Sequence, residues 1–325
     1  MSNNNDNILE VAIRILSEYH LCDNCLGRLF GSLLTGLSNR KRGKLIRELV
    51  MMEVHKRILR GEEPPNTLIE NIVSCGYDLS SNFRKILRDL NIKYPGEFKL
   101  KCDICGSILS VLNSIADSIL DDILRYDFKT FIVGAEAIPE IEIKEDDIKR
   151  KYKIWYGESI RSEISRELGK ILEVKFRERN LNRYYDPKAP DAIIIIDVIK
   201  KNVKVWTRPL RVKLKILNKA GYRTFALVCK KCSGRGCKEC VYTGRILGED
   251  IESIVGWKLL EKSRGIRWKY SVRYIDGKNR NLLIAVFRIL NPARRITDID
   301  IKEIKEYLKN KGIEVINYEI QPLNK

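Results

Sequence analysis

The sequence predicts an α+β protein, and three observations lead to this prediction. Apolar residues recur at helical spacing in the first part of the chain, strand-like apolar runs alternate with helices in the second part, and four Cys-x-x-Cys pairs offer metal ligands. The chain has 325 residues, of which 44% are hydrophobic and 32% charged, as in an ordinary globular protein. We expect three regions, comprising residues 1–125, 126–217 and 218–325.

The first region is predicted to be helical and to contain a metal site. Apolar side chains at intervals of three and four residues predict helices over residues 7–19, 44–60, 82–90 and 110–124. Pro64 and Pro65 end the second of these helices, because proline cannot continue a helix. One Cys-x-x-Cys pair follows the first helix and another precedes the last. A metal ion bound by both pairs would fasten the first helices to a later loop.

The second region is predicted to be an α/β unit. Its elements are a strand over 128–133, an acidic, Pro-containing connection over 139–147, an amphipathic helix over 158–179 and a buried strand over 192–196. The region ends in an alternating segment, where Arg211, Lys213 and Lys215 point to one side and the apolar residues at 210, 212, 214 and 216 point to the other. This pattern predicts a strand with a basic and an apolar face.

The third region is predicted to be a small α+β unit of its own. The pattern gives a helix over 250–260, a strand over 268–275, a turn over 276–279, a strand over 282–290, a helix over 299–308 and a strand over 314–320. This αββαβ order has the size of a ferredoxin-like half-domain.

The charge of the chain favours a polyanionic partner. The sequence has 61 Lys+Arg against 43 Asp+Glu, a net charge of +18. Fourteen basic residues and one acid lie between residues 200 and 245, and nucleic acid is the usual intracellular polyanion. The alternative is a solvated strand edge whose lysines discourage aggregation. The candidate phosphate contacts are Arg208, Arg211, Lys213, Lys215, Arg223, Lys230, Lys231 and Arg235.

The cysteines predict two zinc sites. Eight of the nine cysteines form four Cys-x-x-Cys pairs, and two such pairs close one tetrahedral thiolate site. We expect one site from Cys22, Cys25, Cys102 and Cys105, and another from Cys229, Cys232, Cys237 and Cys240. The alternatives are a redox pair or, for the second site, a chaperone-type zinc repeat. The remaining cysteine, Cys75, is expected to be a small buried hydrophobe.

Several stretches of the chain resemble one known family. These stretches are LCDNCLGR (21–28), TGLSNR (35–40), CDICG (102–106), IRSEISRELGK (160–170), Pro190-Asp191, RPL (208–210), and the second cysteine cluster with YTGR (242–245). In this order they resemble the archaeal and eukaryotic tRNA pseudouridine synthases that act on the T-arm. The resemblance covers roughly residues 7 to 255.

The resemblance implies both a fold and a function. The fold would be a zinc-containing helical region and a THUMP-type α/β RNA-binding region, followed by a ferredoxin-like half of a pseudouridine synthase domain. The function would be binding of tRNA at its T-arm and isomerisation of uridine 54 or 55 to pseudouridine. The family uses no organic cofactor, and structural zinc, one or two ions, is the expected metal.

The resemblance implies Asp276 as the nucleophile and Arg273 or Arg280 as its charge partner. The family has a Gly-Arg-Glu-Asp stretch and an Asp-Val-Arg at this place, where the present chain reads SVRYIDGKNRN over residues 271–281. The alternative is that Asp276 and Gly277 form an ordinary hairpin turn between two strands. Only two histidines are present, so His-based catalysis is not expected.

Two other functions remain open from the sequence. The chain is expected to end after the first half of the synthase domain. It would then be either an inactive tRNA-binding accessory protein or one half of a split enzyme completed by a second chain. No apolar run is long enough to span a membrane and no secretory signal is visible, so a cytoplasmic location without membrane contact is expected.

Overall fold

The structure is a computed structural model. It describes residues 7–73, 78–89, 101–240, 244–275 and 281–322. These residues divide into two compact units. The first comprises Met1–Ile119, Val133–Lys175 and Ile195–Asn202, and the second comprises Leu120–Ile132, Phe176–Ile194 and Val203–Lys325. The three-region division expected from the sequence stays a prediction.

Seven of the ten described helices lie close to predicted positions, whereas those over Asp23–Leu29, Asn66–Val73 and Pro139–Lys151 were not predicted as helices. Over the described chain the helices are α1 (Ile8–Glu18), α2 (Asp23–Leu29), α3 (Asn39–Leu59), α4 (Asn66–Val73), α5 (Asp78–Asp89), α6 (Leu112–Leu124), α7 (Pro139–Lys151), α8 (Ile160–Glu178), α9 (Ile251–Ser263) and α10 (Asp298–Asn310). Local capping explains several of the starts. The Asn7 side chain accepts a hydrogen bond from the Leu9 amide, and Ser38 accepts one from Lys41. None of these helices is long and apolar enough to cross a membrane.

Helix α7 corrects the prediction of an irregular connection over residues 139–147. Pro139 occupies the first helical turn, where its fixed φ fits a helix and its missing N–H costs nothing. Glu140 and Glu142 lie in the same turn, where negative charge opposes the positive end of the helix dipole. The features that suggested a connection are therefore features of a helix start.

The strands form two four-stranded sheets and one short ribbon. The strands are β1 (Thr130–Ala135), β2 (Tyr184–Tyr185), β3 (Ala192–Asp197), β4 (Asn202–Thr207), β5 (Leu210–Asn218), β6 (Leu227–Val228), β7 (Arg245–Ile246), β8 (Arg267–Tyr274), β9 (Leu282–Leu290) and β10 (Ile313–Pro322). The first sheet has the order β2-β1-β3-β4, the second has the order β10-β5-β9-β8, and β6 pairs with β7. The predicted α+β class is confirmed.

The second sheet has one covered face. Helices α9 and α10 contact β8, β9 and β10, and the core beneath them includes Val212, Leu214, Phe287 and Leu308. The predicted alternation of β5 is confirmed, because its apolar residues are buried and the basic residues between them are exposed or half-buried. The order α9-β8-β9-α10-β10 is the predicted αββαβ unit. Strand β5, from an earlier part of the chain, lies between β10 and β9.

Candidate metal centres and RNA-binding surface

The first cysteine cluster joins the start of α2 to the loop before α6. Cys22 caps α2, Cys25 lies in its first turns, and Cys102 and Cys105 lie in the later loop. The four sulfur atoms lie within 4.8 Å of one another, and Cys22 Sγ and Cys105 Sγ are 3.7 Å apart. Two reciprocal hydrogen bonds hold the loop: the Asp103 amide donates to the His20 carbonyl at 2.8 Å, and the His20 amide donates to Asp103 Oδ2 at 2.7 Å.

A buried arginine lies beside this cluster. Arg28 has no exposed surface, and its Nη1 is 3.5 Å from Cys25 Sγ. Its guanidinium donates to Glu145 Oε1 and to Glu163 Oε2, each at 2.8 Å. Burial raises the pKa of Glu163, and the positive charge of Arg28 opposes that shift. Arg28, together with Lys149, therefore balances the charge of two carboxylates on α7 and α8. The neighbouring cysteines and burial raise the pKa of the Cys25 thiol, and the positive charge of Arg28 opposes that rise.

The second cysteine cluster lies between β6 and β7. Its sulfur–sulfur distances are 3.9 Å for Cys229 and Cys237, 3.7 Å for Cys232 and Cys240, and 3.7 Å for Cys237 and Cys240. Backbone amides point at the sulfur atoms. Cys232 Sγ accepts from the Gly236 amide, and Cys240 Sγ accepts from the Cys237 and Gly244 amides, each at 3.2 Å. Such donors stabilise the deprotonated thiol that a metal ion requires.

Both clusters fit a zinc ion. A tetrahedron with zinc–sulfur bonds of about 2.3 Å has sulfur–sulfur edges of about 3.8 Å, and the distances in both clusters are close to this value. A disulfide would need sulfur atoms at about 2.05 Å. The predicted grouping of the eight cysteines into two clusters of four is confirmed, and each cluster could bind a metal ion. Cys75 lies outside the described residues.

The predicted phosphate contacts fall into two groups. Lys230, Lys231 and Arg235 are exposed beside the second cysteine cluster, where Lys231 forms an ion pair with Glu239. Arg223 is exposed before β6. The other group lies along β5: Arg208, just before the strand, donates from Nε to the Pro190 carbonyl at 2.7 Å, and Arg211, Lys213 and Lys215 lie on its exposed face.

Strand pairing places more basic residues on the same side of the sheet as those of β5. Arg211 is paired with Arg288 of β9, and Arg288 is paired with Lys269 of β8. Lys215 is connected to Arg273 through Ile284 in the same way. Directly paired residues share a face of the sheet. The face away from α9 and α10, called the basic face below, thus has seven basic residues in the described strands: Arg211, Lys213, Lys215, Arg267, Lys269, Arg273 and Arg288.

The basic face has little internal neutralisation. Within the described part of the chain, Lys213 alone of the seven has a carboxylate partner, Glu319 at 3.2 Å. Between the cations lie apolar side chains such as Ile284 and Val286, which are half-buried. A concentration of unpaired cations on a flat surface attracts phosphate groups.

The sequence analysis missed Arg267, Lys269 and Arg288 as members of this surface. Strand β8 carries a signal, since its basic residues alternate with aromatic or apolar ones over most of its length, whereas β9 has a single basic residue, Arg288. The register that aligns them with β5 joins residues more than fifty positions apart, and local sequence does not contain it. Arg28 was also missed, because nothing local distinguishes a buried arginine from an exposed one.

The structure leaves the predicted catalytic pair untested. Arg273 is exposed near the end of β8. Asp276 and Arg280, together with the turn over 276–279, lie outside the described residues.

Comparison with known proteins gives one family. Residues 115–197 match the archaeal Pus10 THUMP domain. A tRNA pseudouridine synthase Pus10 from Vulcanisaeta distributa is 31% identical over 311 residues, covering 95% of this chain and 68% of the relative. The protein of the same name from Pyrococcus furiosus is 29% identical over 95% of this chain and 65% of the relative.

A third relative is more similar over a shorter stretch. The tRNA pseudouridine synthase Pus10 of Aeropyrum pernix is 37% identical over 168 residues, covering 51% of this chain and 37% of the relative. The chain thus spans about two thirds or less of the length of these curated relatives.

Proposed function

The chain belongs to the Pus10 family of tRNA pseudouridine synthases, and on that premise we propose that it binds tRNA through the basic face and isomerises a T-arm uridine, 54 or 55, to pseudouridine. The relatives' name supports the reaction. The observation that carries the proposal is the basic face itself, where three neighbouring strands present seven cations on the uncovered side of a sheet. The predicted contacts Arg208, Arg223, Lys230, Lys231 and Arg235 would extend this surface.

The proposed reaction needs no organic cofactor. The bond from N1 of uracil to C1′ of ribose breaks, the base turns, and a bond forms from C5 to C1′. The hydrogen of C5 is lost as a proton and N1 gains one, so that the product is an isomer of the substrate. The base must leave the stack before this can happen. We assign Asp276 as the carboxylate nucleophile and Arg273 as its charge partner.

Zinc would have a structural role in this proposal. Each cluster of four cysteines would hold one ion, as a closed site with no position for substrate. The first ion would keep α2 attached to the loop before α6. The second would fix the turn from which Lys230, Lys231 and Arg235 project.

The isomerisation is tested by incubating the purified chain with unmodified tRNA and mapping pseudouridine in the T-arm. We expect conversion by the parent and by Lys302→Ala, a matched change at an exposed lysine of α10. We expect no conversion by Asp276→Asn, which removes the carboxylate charge and keeps the shape. Equal conversion by Asp276→Asn would contradict the assignment of the nucleophile. A parent that binds tRNA and converts none of it would leave the binding part of the proposal standing and overturn the catalytic part.

A further inference from the structure

Trp155 has the largest exposed fraction among the large apolar side chains that the structure describes. It is 88% exposed, whereas the next, Leu34, is 74% exposed. Tryptophan is highly buried on average, because its indole offers a large apolar surface. A single exposed apolar side chain needs no explanation by itself, so the case for a function at Trp155 depends on what surrounds the indole.

The backbone around Trp155 is held firmly in place. The Ile154 amide donates to the Lys149 carbonyl at 2.8 Å, and the Tyr156 carbonyl accepts from the Ser32 amide at 2.9 Å. The Ile154 side chain is buried. The indole ring stands edge-on to the ring of Tyr156, with centroids 5.3 Å apart and an angle of 76°. The exposed indole is thus supported by a fixed turn.

Tyr156 connects this turn to the buried part of the unit. Its ring packs on Phe30 with centroids 5.9 Å apart, and Phe30 is almost fully buried. Gly157 follows, where a Cβ atom would lie 2.8 Å from Lys149 Cε and 3.1 Å from the Leu29 carbonyl. This close approach of backbone segments leaves the turn little freedom, so that a ligand of Trp155 meets a surface already formed.

The surroundings of Trp155 are basic. The chain reads KRKYKIW over residues 149–155, with four cations in the first five positions and no acid. Arg150 and Lys153 line a groove next to the indole, and both are exposed. Asp146 also lines the groove, and Arg150 forms an ion pair with Asp147. Lys149 forms an ion pair with Glu145 and donates a hydrogen bond to the Glu158 carbonyl.

We propose that Trp155 stacks on an unpaired base of RNA, with Lys153 and Arg150 near the adjoining phosphates. An aromatic face with neighbouring cations is the combination that binds single-stranded nucleic acid, because stacking accepts any base and the cations follow the backbone. The turn lies inside the segment that matches the THUMP domain. The inference rests on the proposed function in taking RNA as the ligand. It adds a second site, which would bind an unpaired base and not the phosphates of a stem.

The two sites differ in chemistry. The basic face has cations and small apolar side chains and no aromatic residue among its described outward positions, which suits the phosphates of a stem. The Trp155 site offers a ring, which requires a base that is out of a duplex. Loss of one site should therefore leave unchanged the preference of the other site for duplex or for single-stranded RNA.

The test uses the full chain and two RNA probes, a fluorescein-labelled single-stranded 12-mer and a blunt duplex of equal length. Truncating a stacking aromatic weakens single-strand binding by about 5- to 150-fold. We expect a loss of that size for Trp155→Ala on the single strand and little change on the duplex. Trp155→Phe, which keeps a ring, should restore most of the affinity. Met52→Ala, at a side chain 71% exposed in the same unit, is the matched control.

Salt dependence and emission provide independent readouts. Stacking involves no ion release, so Trp155→Ala should leave the slope of log affinity against log salt unchanged. Indole emission of the parent should be quenched by the single strand, and Trp155→Phe should lose that part of the quenching. Equal single-strand affinity of the parent and Trp155→Ala, with tRNA still bound, would overturn the inference alone. A parent that binds no RNA of any kind would overturn the proposed function as well.

Discussion

Arg28 carries its charge at a position without exposed surface, next to a cysteine cluster and between two helices. Glu145 and Glu163 accept its hydrogen bonds, and both carboxylates are almost fully buried. A buried charge is tolerated only when it is paired. Local sequence gave no sign of this arrangement, because the arginine and its partners lie more than a hundred positions apart.

Replacing Arg28 with Met should destabilise the protein severely. The substitution keeps the apolar volume, leaves buried Glu163 without its cation and leaves buried Glu145 with Lys149 alone, which costs about 3–5 kcal/mol in the free energy of unfolding. Arg161→Met is the control, since its bond to Glu142 is exposed and such pairs contribute about 0–1 kcal/mol. Denaturant titration of both variants measures the difference. Equal losses in the two would show that the Arg28 ion pairs contribute no more than a surface pair.

At the scale of elements, sequence patterns predicted the helices and strands whose buried face shows in their own residues. They missed the order of strands, which depends on pairing between distant parts of the chain. The periodicity of α8 and the alternation of β5 are confirmed, because the spacing of apolar residues within each element marks the face that is buried. Helix α7 was missed because an acidic stretch after proline has the composition of a loop. The insertion of β5 between β9 and β10 was missed because a long connection separates these strands.

The second cysteine cluster depends on a close approach of two glycines. Gly244 has φ +74°, and a Cβ atom there would lie 2.2 Å from the Gly234 carbonyl oxygen. The Gly244 amide also donates to Cys240 Sγ. A side chain at this position would push apart the turn that carries two of the cysteines.

Gly244→Ala should therefore lower the zinc content from about two ions per chain to about one. The first cluster should keep its ion, because it is built from other segments. Gly248→Ala is the control, since a Cβ atom there meets nothing within 4 Å. Elemental analysis of the purified proteins gives the count. Two ions in Gly244→Ala would contradict the dependence of the second cluster on this glycine, and none in the parent would contradict the assignment of the clusters to zinc.

At the scale of the whole molecule, the charge of the chain predicts the kind of partner, and the cysteine pairs predicted two clusters of four that could each bind a metal ion. The net charge of +18 predicted a polyanion, and the resemblance of the cysteine motifs predicted the family that the comparison gives. The extent of the basic face required the structure. Arg211, Arg288 and Lys269 become neighbours only when three strands adopt one register.

The central claim is that the basic face binds the phosphates of tRNA, and the most direct test is the salt dependence of tRNA binding. Each phosphate contact to a double-helical stem makes the slope of log affinity against log salt about 0.9 more negative. We predict that Lys269→Ala combined with Arg288→Ala weakens tRNA binding and makes this slope about 1.8 less negative. The matched pair Lys302→Ala and Lys305→Ala on α10 should leave the slope unchanged. A slope that is the same in the parent and in the Lys269/Arg288 double variant would contradict the claim.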